Sequence, residues 1–177
     1  MLTFNRPQFI GRAIESVCWQ TCADWELLVI HDGPNEQTRE VVEEWVRRDP
    51  RIRYLRRRVP GNIAQANNHG LEQARGDLVA VLDDDDYWRV PEKLAEQVRF
   101  LDAHPDHVAC GGGAVCIDLA GRETMRYLKP LEDAQIRKVA LLANPMVHST
   151  TLYRRAAARD WGSMMRRSPV SRTGTCS

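Results

Sequence analysis

Along the first hundred residues, apolar positions switch between two spacings, one that suits strands and one that suits helices. Leu78-Val79-Ala80-Val81-Leu82 is an unbroken apolar run, the pattern of a strand buried on both faces in a parallel sheet. Asp83, Asp84, Asp85 and Asp86 come directly after it, then Tyr87-Trp88-x-x-Pro91. Upstream, Phe9, Ile10, Ala13, Ile14 and Val17 recur at helical spacing behind Pro7 and predict a helix to about Gln20. Trp25 to Ile30 predicts a second strand, ending in His31-Asp32-Gly33-Pro34-Asn35. Val41, Val42, Trp45 and Val46 mark the inner face of a helix from about Glu36 to Arg48, which Asp49-Pro50 stops. Ile52 to Leu55 is a short strand, and Gly61-Asn62 opens a helix with Ile63, Ala66, Leu71 and Ala74 inward, closing near Gly76. A further helix from Pro91 to about His104 carries Leu94, Ala95, Val98 and Leu101. Strands alternating with helices at this spacing give an α/β fold, a mainly parallel sheet flanked by helices. Met1-Leu2-Thr3 is too short for a first strand, yet the segment after it behaves as though a strand had just ended.

Past Pro105 the pattern changes. Val108 to Ile117 is strand-like but broken by Gly111-Gly112-Gly113, as a bulge or close ligand approach, or simply as an irregular strand. Leu131 to Leu142 is an amphipathic helix, and Asn144 to Tyr153 reads as a turn entering a final strand. Arg56-Arg57-Arg58 is either an anion patch or a solvated strand end. From Trp161 to Ser177 the chain is basic, without Asp or Glu, and its apolar periodicity fades.

Composition narrows the function classes. The chain has 177 residues, 43% of them hydrophobic and 28% charged, as in an ordinary globular domain. A formal charge of +1 argues against a nucleic-acid partner. The five cysteines are odd in number and lack a C-x-x-C pair, so they read as free thiols in a reducing compartment. No apolar run approaches the roughly 20 residues of a membrane helix, and Asn5, Arg6 and Pro7 interrupt any signal-peptide pattern. A cytoplasmic protein is expected, free or peripheral to the inner face of a membrane. Ligands of open α/β sheets gather outside the carboxyl ends of the strands. A carboxylate cluster there needs a cation, and hard oxygen ligands suit Mg²⁺ or Mn²⁺. Neither G-x-G-x-x-G nor G-x-x-x-x-G-K-[ST] occurs, so a nucleotide would be held by metal on its phosphates and carboxylates on base and ribose.

Thr3-Phe4-Asn5-Arg6-Pro7, Gln20-Thr21, Trp25-Glu26-Leu27 and Asp83-Asp84-Asp85-Asp86-Tyr87-Trp88, taken together, resemble the family-2 glycosyltransferases of GT-A fold, over residues 1 to about 160. The resemblance implies transfer of a sugar from a nucleotide-sugar donor to a hydroxyl of an unknown acceptor (glycan, lipid or protein), with inversion and a divalent cation, Mn²⁺ or Mg²⁺. It implies a base pocket lined by Thr3 and Phe4, with Asn5 beside them, and a hydrogen bond from the base to Asp32. Asp83 and Asp84 fall at the ribose and at the start of the family's D-x-D motif, and Asp85 at the metal-binding carboxylate. By the same resemblance, residues 1–105 are the donor half, 106–160 the start of the acceptor half, and 161–177 an aberrant, disordered tail.

Departures accompany the matches. His31 stands where the family often has a second acidic residue, and reads as a packing or hydrogen-bonding variant. Asn67-Asn68 replaces the family's arginine-asparagine, so Asn68 remains a donor contact while one cationic contact is missing. His148-Ser149-Thr150 resembles a segment near the acceptor side, or is simply a strand end with satisfied side chains. No acidic general base of the E-D or Q-D type comes after Tyr153. A back-translation with freely chosen codons, read in a shifted frame from residue 160, recovers a Q-D-W-D-L block, so a frame change near residue 160 is expected; with the short first strand, the chain is expected to be truncated at both ends. A dead fragment that only binds nucleotide is the alternative, ahead of a nucleotidyltransferase.

Overall fold

The computed structural model describes residues 1–57 and 61–160. Arg58 and the expected frame-changed tail, 161–177, lie outside the described residues. In chain order β1 (Leu2–Thr3), α1 (Pro7–Cys18), β2 (Leu27–His31), α2 (Glu36–Arg48) and β3 (Ile52–Arg56) form a layered unit. Its three strands run parallel in the order β1-β2-β3. Pro7 starts α1 where a missing N–H costs nothing. The Asn35 side chain caps α2 by accepting from the Thr38 amide at 2.7 Å, and Arg47 and Arg48 in the last turn complement the helix dipole. Ile10, Ile14, Val29, Val42 and Ile52 are buried between these helices and the sheet. Each contributes about 1.5–3 kcal/mol through apolar surface removed from water.

On the other face of β2, Leu28 and Ile30 pack against Ala66 of α3 (Ile63–Gln73). A capping box between Asn62 and Gln65 starts that helix. A Cβ at Gly70 would meet Ile30 Cδ1 at 3.0 Å, so any larger residue here would need the Ile30 side chain to give way by a few tenths of an ångström.

The segment before the aspartates departs from expectation. β4 (Leu78–Ala80) stops two residues before Leu82, is half-buried, and belongs to a separate antiparallel sheet. There it pairs with β8 (Leu152–Arg154), which lies between β4 and β5 (Ala109–Cys110). The parallel sheet is therefore confined to β1, β2 and β3, and the unbroken apolar run reflects helices and a late-arriving strand around it. α4 (Lys93–Ala103) buries Leu94 and Leu101. The expected strand from Val108 to Ile117 is split at the three glycines into β5 and β6 (Ala114–Ile117), and β6 forms a hairpin with β7 (Glu123–Tyr127), a strand the apolar pattern does not predict. α5 (Asp133–Ala140) is shorter than expected and buries none of its residues. A short 3-10 turn (His148–Thr150) precedes β8, and α6 (Arg155–Asp160) comes after it.

Between the β1–β2 edge and β4 lies a cavity of about 750 Å³, lined by apolar side chains including Leu2, Leu28, Leu82 and Leu152.

Candidate functional site

The carboxyl ends of β1 and β2, the segment leaving β4, and the 3-10 turn before β8 converge at one end of the fold. The acidic segment is a turn closed by the Asp86 amide donating to Asp83 O at 3.2 Å. Ser149 latches it: the Asp83 amide donates to Ser149 Oγ at 3.1 Å, and Ser149 Oγ donates to Asp86 Oδ2 at 2.5 Å. Trp88 anchors its far side, donating from Nε1 to Ser149 O at 2.6 Å and from its amide to Ser16 Oγ on α1 at 3.1 Å. Trp88 stands out in the sequence as part of the run after the aspartates, but these partners do not.

The four carboxylates have different surroundings. His148 Nδ1 lies 3.2 Å from both oxygens of Asp83. This contact raises the imidazole pKa above its ordinary value and lowers that of Asp83 below the usual carboxylate range. Asp84 is 6% exposed. Burial pushes its pKa up, opposed by the Thr3 hydroxyl and the Arg6 guanidinium. Arg6 Nη1 stands 3.3 Å from Asp84 Oδ1 and also pairs with Asp85. Asp84 Oδ2 is buried without a well-formed hydrogen bond, as is Thr3 Oγ1. Asp85 is partly open to solvent.

At the end of β2, Asp32 is held by Arg57 Nη1 at 2.9 Å from Oδ1 and by the Gly61 amide at 3.2 Å from Oδ2. His31 is fully buried. Its Nε2 lies 3.3 Å from Phe4 O, which can only accept, so Nε2 carries the proton and Nδ1 accepts from the Tyr54 hydroxyl at 2.8 Å. Burial lowers the pKa of this imidazole. A hydrogen-bonding variant, as the sequence suggested, is what the fold contains. A Cβ at Gly33 would run into the Phe4 carbonyl oxygen, so glycine permits the β1 and β2 exits to touch.

Thr3 is buried beside Asp84, whereas the Phe4 ring is exposed. Asn5 accepts from Asn35 Nδ2 at 2.5 Å, which ties the β1 exit to the start of α2. Asn68 is half-buried on α3. Thr3, Asp83, Asp84 and Asp85 are thus brought together, and Phe4, Asn5 and Asp32 form a neighbouring group around the β2 exit. Arg6, Arg57 and Ser149 are the participants whose roles sequence reasoning missed. Arg6 stands in the Thr3-to-Pro7 motif, but its partner Asp84 lies 78 positions away. Among the described residues no three His, Cys, Asp or Glu side chains form a ready metal cage. An orphaned carboxylate oxygen beside a cation-paired neighbour nevertheless fits Mg²⁺ or Mn²⁺ chemistry, in which one or two carboxylates combine with substrate phosphates and water.

Comparison with known proteins places the fold. The mannosyltransferase PcManGT from Pyrobaculum calidifontis, solved in complex with GDP-Man and Mn²⁺, superposes with a TM-score of 0.66 at 18% identity, over 93% of this chain and 46% of that one. S. aureus TarS 1-349 in complex with UDP-GlcNAc gives 0.63 at 21% identity, over 90% of this chain and 45% of that one. These likenesses show the GT-A fold. In sequence, the amylovoran biosynthesis glycosyltransferase AmsE of Erwinia amylovora is 28% identical over 160 residues, 90% of this chain and 59% of that protein. The putative glycosyltransferase EpsE of Bacillus subtilis is 27% identical over 157 residues, 88% of this chain and 55% of that protein. The chain thus spans less than two thirds of the length of either relative. Residues 1–162 match the family model described as glycosyl transferase family 2, and the chain belongs to that family.

Proposed function

We propose that this chain is the donor-binding half of an inverting glycosyltransferase, which holds a nucleotide sugar with a divalent cation and presents it to an acceptor hydroxyl. The observation that carries the proposal is the buried Asp84, whose Oδ2 has no well-formed hydrogen bond, beside Asp85 and outside the carboxyl end of a strand. Such an oxygen needs a hydroxyl donor or a cation, and a sugar nucleotide with its metal supplies both. Asp85 would hold Mn²⁺ or Mg²⁺, with Asp84 next to it. The cation, when bound, neutralises the departing diphosphate as a Lewis acid.

The chain's own residues do the rest. Asp83 and Asp84 accept from the ribose hydroxyls, and His148 with Ser149 holds Asp83 in place for that contact. Thr3, Phe4 and Asn5 border the base, and Asp32, oriented by Arg57 and the Gly61 amide, accepts from its ring N–H. Asn68 on α3 completes the donor contacts. Residues 1–105 supply most of this half, and 106–160 begin the acceptor side. The acceptor is a glycan, a lipid or a protein, and the base that deprotonates it is not assigned to any described residue. The described residues contain no helix long and apolar enough to cross a membrane; we place the protein in the cytoplasm or at the inner membrane face.

Calorimetry with UDP and GDP tests the proposal. Binding of one of them should tighten with Mn²⁺ or Mg²⁺ relative to chelator, and Asp85→Asn should remove most of the gain, at about 1.5–3 kcal/mol for a charge-assisted contact. Equal affinity with metal and with chelator would sink the assignment. Metal-dependent nucleotide binding without any transfer, in a chain restored to the length of its relatives, would instead support the nucleotide-binding alternative.

A further inference from the structure

Arg6 is placed in an unusual way. Its backbone is fixed at the start of α1, where its carbonyl accepts from the Phe9 and Ile10 amides at 3.1 and 3.2 Å. Its side chain is 48% exposed and reaches back over the acidic turn. A guanidinium bonds a carboxylate best through two parallel N–H···O contacts. Here a single nitrogen, Nη1, serves both Asp84 Oδ1 and Asp85, and no N–H of the guanidinium reaches Asp84 Oδ2, which has the buried Thr3 hydroxyl nearby and no well-formed hydrogen bond. Asp83 has His148 and Asp86 has the Ser149 hydroxyl. Among the described residues, Arg6 is the one cationic side chain paired with Asp84 and Asp85. It supplies positive charge to the pair through one nitrogen of a half-exposed side chain, not through a buried two-point fork.

We propose that Arg6 is a resident stand-in for the divalent cation and that it couples metal binding to nucleotide binding. With no ligand, the guanidinium neutralises Asp84 and Asp85, so a metal arriving alone must displace one positive charge to place another. Metal arriving with a diphosphate meets a different balance, because the displaced guanidinium gains the phosphate oxygens as new partners. Metal alone therefore binds weakly, and metal with nucleoside diphosphate binds strongly. This inference rests on the reading that Asp84 and Asp85 take a cation, and the experiment separates the two.

Mn²⁺ binding is followed by electron paramagnetic resonance, with Mn²⁺ alone and again with saturating UDP or GDP. The proteins compared are the unaltered chain, Arg6→Ala, Arg6→Gln and Arg6→Lys, each checked for fold by circular dichroism. Both neutral variants should bind Mn²⁺ alone about tenfold more tightly, the size of one charge-assisted contact. The ratio of Mn²⁺ affinities with and without nucleotide should fall by at least the same factor. Arg6→Lys, which keeps the charge, should stay within about threefold of the unaltered chain. Two neutral variants give the test a second chance to find a folded protein. If the unaltered chain binds Mn²⁺ with nucleotide but neither folded neutral variant binds Mn²⁺ alone more tightly, the stand-in role is overturned and the metal site stands. If no protein binds Mn²⁺ with or without nucleotide, both fall.

Discussion

Lys93 shows at the scale of one residue how burial sets chemistry. Its ammonium lies 4.0 Å from the centre of the Trp88 ring and donates to Gln97 Oε1 at 2.6 Å. Burial lowers its pKa to about 8. Between about pH 8 and the ordinary lysine value, the unfolded chain holds a proton that the folded chain has released. The contribution of Lys93 to stability therefore rises with pH across that window, with its cost fully present below it, while the thiols of Cys18 and Cys110, whose pKa values burial raises, contribute with the opposite sign. Lys93→Met should stabilise the protein at pH 7 by about 1–3 kcal/mol, and this gain over the unaltered chain should shrink toward pH 10. Urea melts at pH 7 and pH 10 check both signs; a variant no more stable at pH 7 would contradict the assignment. Other residue-scale features are partly readable from the chain alone. His31 is visible as a departure, but Tyr54 and the Phe4 carbonyl, which make a buried imidazole tolerable, are not neighbours in sequence. Arg6 is visible, and its carboxylate partners are visible, yet periodicity carries no information about a pair 78 positions apart.

At the scale of elements, the helices are the most legible. α1, α2, α3 and α4 each present an apolar stripe at helical spacing, with Asn35 or Asn62 capping where a start is expected. Strand partners are not legible, because a buried apolar run looks the same whether its neighbour runs parallel or antiparallel. β4 accordingly reads as a parallel strand through Leu82, and its antiparallel partner β8 is invisible as such. β7 lacks any signal, since all of Glu123–Tyr127 is exposed and no alternation marks it. The 3-10 turn before β8 shows what such unreadable pairings do. Ser149 Oγ bonds the Asp83 amide and the Asp86 carboxylate together, so Ser149→Ala should loosen the acidic turn while leaving α1, α2 and the parallel sheet intact. A cost of about 1–3 kcal/mol is expected for the buried groups left unpaired. Thermal melts would show that loss, and the same calorimetric titration would show weaker metal-dependent nucleotide binding. A variant that melts lower but binds unchanged would remove Ser149 from the site.

At the scale of the whole molecule, two sheets face each other across a cavity of about 750 Å³ lined largely by apolar side chains. It is a half-open cleft with Glu26, Asn67, Arg75, Asp77 and His148 among its lining residues, so part of the apolar lining faces solvent rather than packed atoms. The antiparallel sheet on the far side of that cavity has a further consequence, which concerns time. The bond from the Asp83 amide to Ser149 spans 66 positions, and Ala80 pairs with Leu152. Contacts this distant close late in folding, after the local helices and the β2–β3 pairing have formed. A chain leaving the ribosome therefore carries Asp83 and Asp86 without His148 and Ser149 until residues 148–154 clear the exit tunnel, whereas Arg6 is already present to pair with Asp84 and Asp85.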